Sequence, residues 1–254
     1  MGQITDADRY NYLLGIADNS LILGQRLGEL CGHGPNLETD IALTNIALDL
    51  FGQVRSYYQY AAKLRGEGAT EDDVAYLRTE REYRNVLLDE QPNTHFGYVI
   101  GRQHLFDRYH LLFLGQLQHS SDETLAAIAR KSIKEVQYHC RFSGDWLKRL
   151  GDGTPESHEK MQEAVNDLWP FTNELFEASK QDLPAIETGI GVDLAELKEP
   201  YLEAIRETLE DATLAVPDIQ FFQKGGKEGI HSEHMGYLLA DLQYMQRTYP
   251  NMTW

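Results

Sequence analysis

The stretch ETDIALTNIALDLFGQVRSYYQYAAKL, Glu38 to Leu64, decides the fold class. Ile41, Ala42, Ile46, Ala47, Leu50, Phe51 and Val54 recur at helical spacing and cover more than half of the helix circumference. A helix lying on a surface needs only a narrow apolar stripe. So wide a stripe predicts burial on more than one side, inside a helical bundle.

Working outward, the same period continues on both sides. Thr5 and Asp8 have the form of a capping box, and Tyr10, Leu14, Ala17, Leu21 and Leu27 follow on one broad face. Gly32-His33-Gly34-Pro35 ends that helix, because glycine closes it and proline cannot continue it. After Gly66-Glu67-Gly68 a shorter acidic helix is expected at about Asp72–Glu82, and after Pro92-Asn93 a long one at about Thr94–Gln118. Ser120-Ser121-Asp122-Glu123 opens a helix reaching Leu150. Thr154-Pro155, an N-cap followed by proline in the first turn, opens another that runs to about Ser179 with a kink at Pro170. Residues 180 to 195 read as a connector, followed by helices at about Leu194–Leu214 and His234–Arg247, with the loop Gly225-Gly226-Lys227-Glu228-Gly229 between them. No segment longer than a few residues alternates as a strand would. The expectation is an all-α protein: one domain over residues 1–254, with a four-helix core in roughly 5–180 and accessory helices in roughly 190–254.

Composition excludes several function classes. The 254 residues carry 23 Lys and Arg against 40 Asp and Glu, a formal charge of −17 that repels phosphate backbones and anionic lipid. Nucleic-acid and membrane partners are therefore not expected. Two cysteines, Cys31 and Cys140, cannot form a disulfide framework and read as buried thiols of a cytoplasmic protein. Met1-Gly2-Gln3-Ile4-Thr5-Asp6 has neither the basic flank nor the apolar core of a signal segment.

Polar residues interrupt the inward faces. Asn45, Asp49 and Gln53 are spaced four apart among Ile46, Leu48 and Leu50. Gln103, Asp107 and His110 share a face with Phe106 and Leu114, while Ser132, Glu135 and His139 align with Ile128, Phe142 and Trp146. The first helix adds Asp18, Gln25 and Glu29. Carboxylates and histidines on facing helices are the ingredients of a di-iron or di-manganese centre. That centre needs a Glu from each of two helices and Glu-x-x-His from each of the other two. Here the set is incomplete. Asp107 and His110 have the spacing but the shorter acid, Glu135 and His139 are one residue too far apart, and Gln53 stands where a histidine is wanted after Asp49. Two readings follow from the residues: a di-metal site, or a hydrogen-bonded polar core in which Asp49, Asp107 and Glu135 pair with Gln53, His110, His139 or a lysine. His231-Ser232-Glu233-His234 reads as a helix start with Ser232 as N-cap rather than as a metal site, and Gly225-Gly226-Lys227 as a turn rather than a phosphate loop. Tyr57, Tyr58 and Tyr60 suit either the bundle core or a protein–protein interface.

Several longer strings carry a family resemblance. They are Gly24-Gln25-Arg26-Leu27-Gly28-Glu29-Leu30-Cys31-Gly32-His33, Leu48-Asp49-Leu50-Phe51-Gly52-Gln53 and Glu90-Gln91-Pro92-Asn93. Further along come Ile133-Lys134-Glu135-Val136-Gln137-Tyr138-His139, Trp146-Leu147-Lys148-Arg149-Leu150-Gly151 and Leu242-Gln243-Tyr244-Met245-Gln246-Arg247. With these, from about Leu13 to Arg247, the chain resembles the C-subunit family of the bacterial phenylacetyl-CoA epoxidases, multicomponent monooxygenases of aerobic phenylacetate breakdown. The resemblance implies a ferritin-like helical fold and a noncatalytic, structural role. It implies no catalytic, cofactor or metal site in this chain, with the di-iron centre in a catalytic partner of similar fold, and further small and reductase subunits in the complex. The competing expectation is a catalytic di-metal oxidoreductase of the same fold acting alone.

Overall fold

The computed structural model describes residues 4–250 and 252, so Met1, Gly2 and Gln3 of the leader reading lie outside the described residues. Four long helices form the frame: α1 (Asp6–Gly28), α2 (Leu37–Arg65), α5 (Phe96–Leu117) and α6 (Glu123–Gly151). Between α2 and α5 lie the short α3 (Glu71–Tyr76) and α4 (Leu87–Glu90). After α6 follow α7 (Pro155–Leu168), α8 (Leu183–Glu187), α9 (Lys198–Asp211) and α10 (Glu233–Thr248). The described residues contain no strand.

Contacts across the helices give the topology. Gly24 lets Leu50 and Phe51 close onto α1, while Asp18, nearer the start of α1, meets Tyr58, nearer the end of α2; the pair is antiparallel. His104 and Asp107 of α5 meet Ser143 of α6, and Gln118, just past α5, accepts from Arg130 near the start of α6, so this pair is antiparallel too. Asp49 and Gln53 of α2 face His139 and Glu135 of α6 in antiparallel order. Two antiparallel hairpins joined by one long crossover, residues 66–95, make the four-helix bundle that periodicity predicts and the ferritin-like fold that the resemblance implies.

Local chemistry explains the boundaries. Thr5 and Asp8 form the expected capping box, and Thr154 with Pro155 opens α7 as read. Other boundaries move. Asp122, not Ser120, caps α6 by accepting from the Thr124 and Leu125 amides, while the Ser120 hydroxyl donates to the Ile190 carbonyl and accepts from the Asp122 amide. The helix expected at Asp72–Glu82 stops at Tyr76, since Arg78 turns inward to Asp18 and Thr79 caps a separate 3-10 turn at Glu80–Glu82. Pro170 ends α7 instead of kinking it, and 3-10 turns at Trp169–Phe171 and Asn173–Phe176 replace the expected last turns. The connector at 180–195 contains α8, and α9 starts only at Lys198, after a 3-10 turn at Leu194–Leu197.

A buried two-pronged ion pair fixes the crossover to the bundle. Arg78 donates to both Asp18 oxygens at 2.8 and 2.6 Å and to Tyr58 Oη, and its guanidinium lies 4.1 Å from the Tyr83 ring centroid. The apolar core is continuous across this frame. Leu13, Ile22, Ile46, Leu50, Ile100 and Val136 of the bundle belong to one cluster with Leu197, Tyr201, Ile205, Met235 and Leu238 of the later helices.

Candidate functional site

The polar residues of the inward faces do meet, in two separate groups. Between α2 and α6, His139 Nε2 donates to Asp49 Oδ2 at 3.0 Å, and Gln53 Nε2 donates to Glu135 Oε2 at 2.9 Å. His139 and Gln53 are buried, whereas the Asp49 side chain is 38 % exposed and Glu135 is half-buried, so this group opens to solvent at one edge. Burial holds the His139 imidazole below its usual range, against the opposing pull of Asp49.

The second group lies deeper, between α5 and α6. Asp107 accepts from Gln103 Nε2 at 2.7 Å and from Ser143 Oγ at 2.8 Å. Because the Ser143 hydroxyl is given to Asp107, His104 Nδ1 must be the donor in its 3.1 Å contact with Ser143 Oγ. Burial raises Asp107 to about 7 despite those two donors, and lowers His104 and His110 to about 3. His110 stacks obliquely on Phe106, 5.2 Å between centroids, and its Nδ1 has no partner among the described residues.

Five of the six positions singled out by spacing are hydrogen-bonded, and His110, expected as a partner of one of the acids, pairs with no acid among the described residues. Asp49 meets His139, Gln53 meets Glu135, Asp107 meets Gln103 and Ser143, and no lysine takes part. Asn45, expected inward, is exposed, because the Asn45–Asp49–Gln53 row spirals from the surface into the interior. Leu48 and Ile41 also lie outside, 60 % and 50 % exposed, so α2 is not covered on two sides within this chain. Of the first-helix residues, Asp18 is buried against Arg78, Gln25 is half-buried, and Glu29 lies at the exposed end of α1 against Arg26 and Asn93. Cys140 is buried, but Cys31 is exposed beyond the end of α1.

Spacing missed His104, Ser143 and Asp89. His104 and Ser143 gather around the same acid, Asp107, from position i−3 on its own helix and from across the α5–α6 contact. The first could have been found by helical spacing and the second could not. Asp89 is buried with neither oxygen hydrogen-bonded among the described residues, and burial drives its carboxyl well above the ordinary carboxylate range against the pull of Arg102. Its neighbour Glu90 accepts from His231, from Asn85, and from the Ser232 amide and hydroxyl, which ties the start of α10 to α4. Ser232 therefore occupies the N-cap position without capping, and His231 is held as a partner of Glu90.

This donor set does not fit a di-metal centre. Among the described residues no three His, Cys, Asp or Glu side chains are grouped so that they could hold a metal ion. The Gln53 amide faces Glu135, and the Asp49 carboxylate is turned to His139 rather than toward Asp107. What the arrangement can do chemically is hold protons and fix helix register.

Comparison with known proteins agrees with this architecture. The family described as phenylacetic acid catabolic protein matches residues 1–254. A curated relative, the C subunit of 1,2-phenylacetyl-CoA epoxidase from Escherichia coli (strain K12), is 49% identical over 243 residues, covering 96% of this chain and 98% of the relative. Both findings bear out the resemblance carried by the strings from Gly24 to Arg247, and the chain belongs to the phenylacetic acid catabolic protein family.

Proposed function

We propose that this chain is a noncatalytic, structural subunit of a phenylacetyl-CoA epoxidase of the multicomponent di-iron type. It pairs with the catalytic subunit and supports it during aerobic phenylacetate breakdown in the cytoplasm. The observation that carries this reading is the internal commitment of the inward carboxyls. In a ferritin-like frame, the positions that would hold two metals hold instead a hydrogen-bonded core of Asp49–His139, Gln53–Glu135 and Asp107–Ser143. Near-full-length similarity to an epoxidase subunit supplies the assembly in which such a bundle has a use. A bundle without metal ligands helps a similar catalytic bundle by holding its site helices in register, since small displacements of reacting groups cost rate steeply. The chain itself holds no iron in this reading, and the complex also contains the small and reductase subunits. No helix among the described residues is long and apolar enough to cross a membrane.

Reconstitution tests this. The catalytic subunit, at matched iron content, is assayed for phenylacetyl-CoA turnover with and without this chain, and the chain alone is analysed for iron. Turnover only in the mixture, with no stoichiometric iron in the chain alone, is the expected result. Equal rates with and without the chain, or about two irons per chain as a di-iron site would hold, would overturn it.

A further inference from the structure

The breadth of apolar residues on α2 has only half its explanation inside this chain. Leu43, Ile46, Ala47, Leu50 and Val54 are buried in the bundle. On the opposite side Leu37, Ile41, Asn45, Leu48 and Gly52 form a second row at helical spacing, with Leu37 72 % exposed. The row continues onto α6. Leu48 is next to Asp49 and Tyr138 is next to His139; the Asp49–His139 bond joins the two helices, and both Leu48 and Tyr138 emerge outward from it. At Gly52 an added Cβ would meet nothing within 4 Å, so the backbone there is open to close approach. Isolated exposed apolar side chains need no account, but Leu37, Ile41 and Leu48 in one row, with Tyr138 beside them on α6, do.

Charge describes the occupant. In a chain of net charge −17, α6 carries six basic residues against three acids. Lys131, Lys134 and Arg141 fall at helical spacing with Tyr138, are exposed, and make no ion pair among the described residues; Arg141 lies over the Tyr138 ring, 5.9 Å from its centroid. The open row from Leu37 to Gly52 is about 24 Å long, because beyond it Arg55 and Gln59 turn to Glu71 of α3. With two helices side by side about 20 Å wide, the face offers roughly 500 Å², enough for the central part of a contact to which each partner gives about 800 Å².

We infer that the outer face of α2 and α6 is the docking surface for a helical partner of different sequence, whose apposed face is apolar at its centre and acidic along the edge that meets Lys131, Lys134 and Arg141. This rests on the structural-subunit reading and names the surface that serves it. A second copy of this chain fits less well, since it would bring the same unpaired cations and the same net negative charge to the contact.

The test uses the full-length chain and the catalytic oxygenase subunit of the proposed complex, with affinity measured by titration calorimetry and oligomeric state by light scattering. Leu48→Glu and Ile41→Glu change exposed residues of α2, and their circular dichroism and thermal unfolding should match the parent. Each is expected to weaken binding about 30-fold or more, as loss of an interface anchor does. The double reversal Lys134→Glu/Arg141→Glu should weaken it too, and by a factor that shrinks as salt is raised. Tyr237→Glu, exposed on α10 and not part of the proposed row, should bind as the parent does. Parent-like binding by both α2 variants would overturn the surface while leaving the pairing intact. No binding by the parent chain would instead defeat the structural-subunit reading, and a self-dimer lost in Leu48→Glu would replace the proposed occupant with a second copy.

Discussion

Asp107 shows how a single residue loads the fold with a pH dependence. Burial raises its carboxyl from the ordinary value of 3.8 to about 7, so between those two values the folded state holds a proton that the unfolded chain releases. Stability attributable to this group therefore falls as pH rises from about 4 to about 7 and stays low above that. Asn at this position can still accept from Gln103 and can donate to Ser143. Asp107→Asn should be close to neutral at pH 4 and stabilising by about 1–3 kcal/mol at pH 8, as read by urea unfolding at the two pH values. His110 works in the other direction. Its imidazole is lowered from 6.5 to about 3, so below 6.5 the unfolded chain takes up a proton that the folded one refuses, and stability is lost as pH falls toward 3. Because its Nδ1 has no partner among the described residues and its ring already stacks on Phe106, His110→Phe should forfeit little packing and flatten the loss of Tm between pH 6.5 and 4. An unchanged slope would show that other groups dominate the acid limb.

At the scale of elements, the crossover between the two hairpins is held by charge as much as by apolar contact. Arg78 leaves the end of α3 to meet Asp18 on α1 and Tyr58 on α2, with both partners of the ion pair almost wholly buried. Removing one member strands the other without water. Arg78→Met should destabilise by about 3–5 kcal/mol, and Asp18→Asn in the same background should recover part of that loss. Chemical unfolding of the single and double variants measures the difference. A cost for Arg78→Met below about 1 kcal/mol, the scale of an exposed pair, would mean that water reaches the site.

For the molecule as a whole, the four long helices are not a self-sufficient core. Leu197, Tyr201, Ile205, Leu209, Met235 and Leu238, all beyond residue 180, are buried in the same cluster as the bundle, and the Glu90 side chain takes all of its hydrogen bonds but the one from Asn85 from His231 and Ser232. A chain cut after residue 180 would expose that apolar surface and leave a buried carboxylate poorly partnered. It should fail to show a cooperative unfolding transition, while the full chain unfolds in a single step by both circular dichroism and tryptophan fluorescence. Cooperative unfolding of the shortened chain would show that the later helices merely decorate the bundle.

The helices and their strongest boundaries were legible in the sequence because they rest on local physics. A 3.6-residue apolar period, a threonine accepting from an amide three residues on, and a proline in a first turn need no distant partner. The same holds for the row of polar positions at Asp49, Gln53, Asp107, His110, Glu135 and His139, and for the missing ligand types among them. What those side chains face was settled only by the tertiary structure. Asp107 takes Ser143 from another helix, Asp49 takes His139, and Arg78 breaks its helix to reach a carboxylate sixty residues away. The apolar row of Leu37, Ile41 and Leu48 makes the point most sharply. Periodicity says that both sides of α2 avoid water, but only the packed bundle shows which side this chain covers itself and which it leaves open, because burial belongs to the assembled surfaces and not to the order of residues.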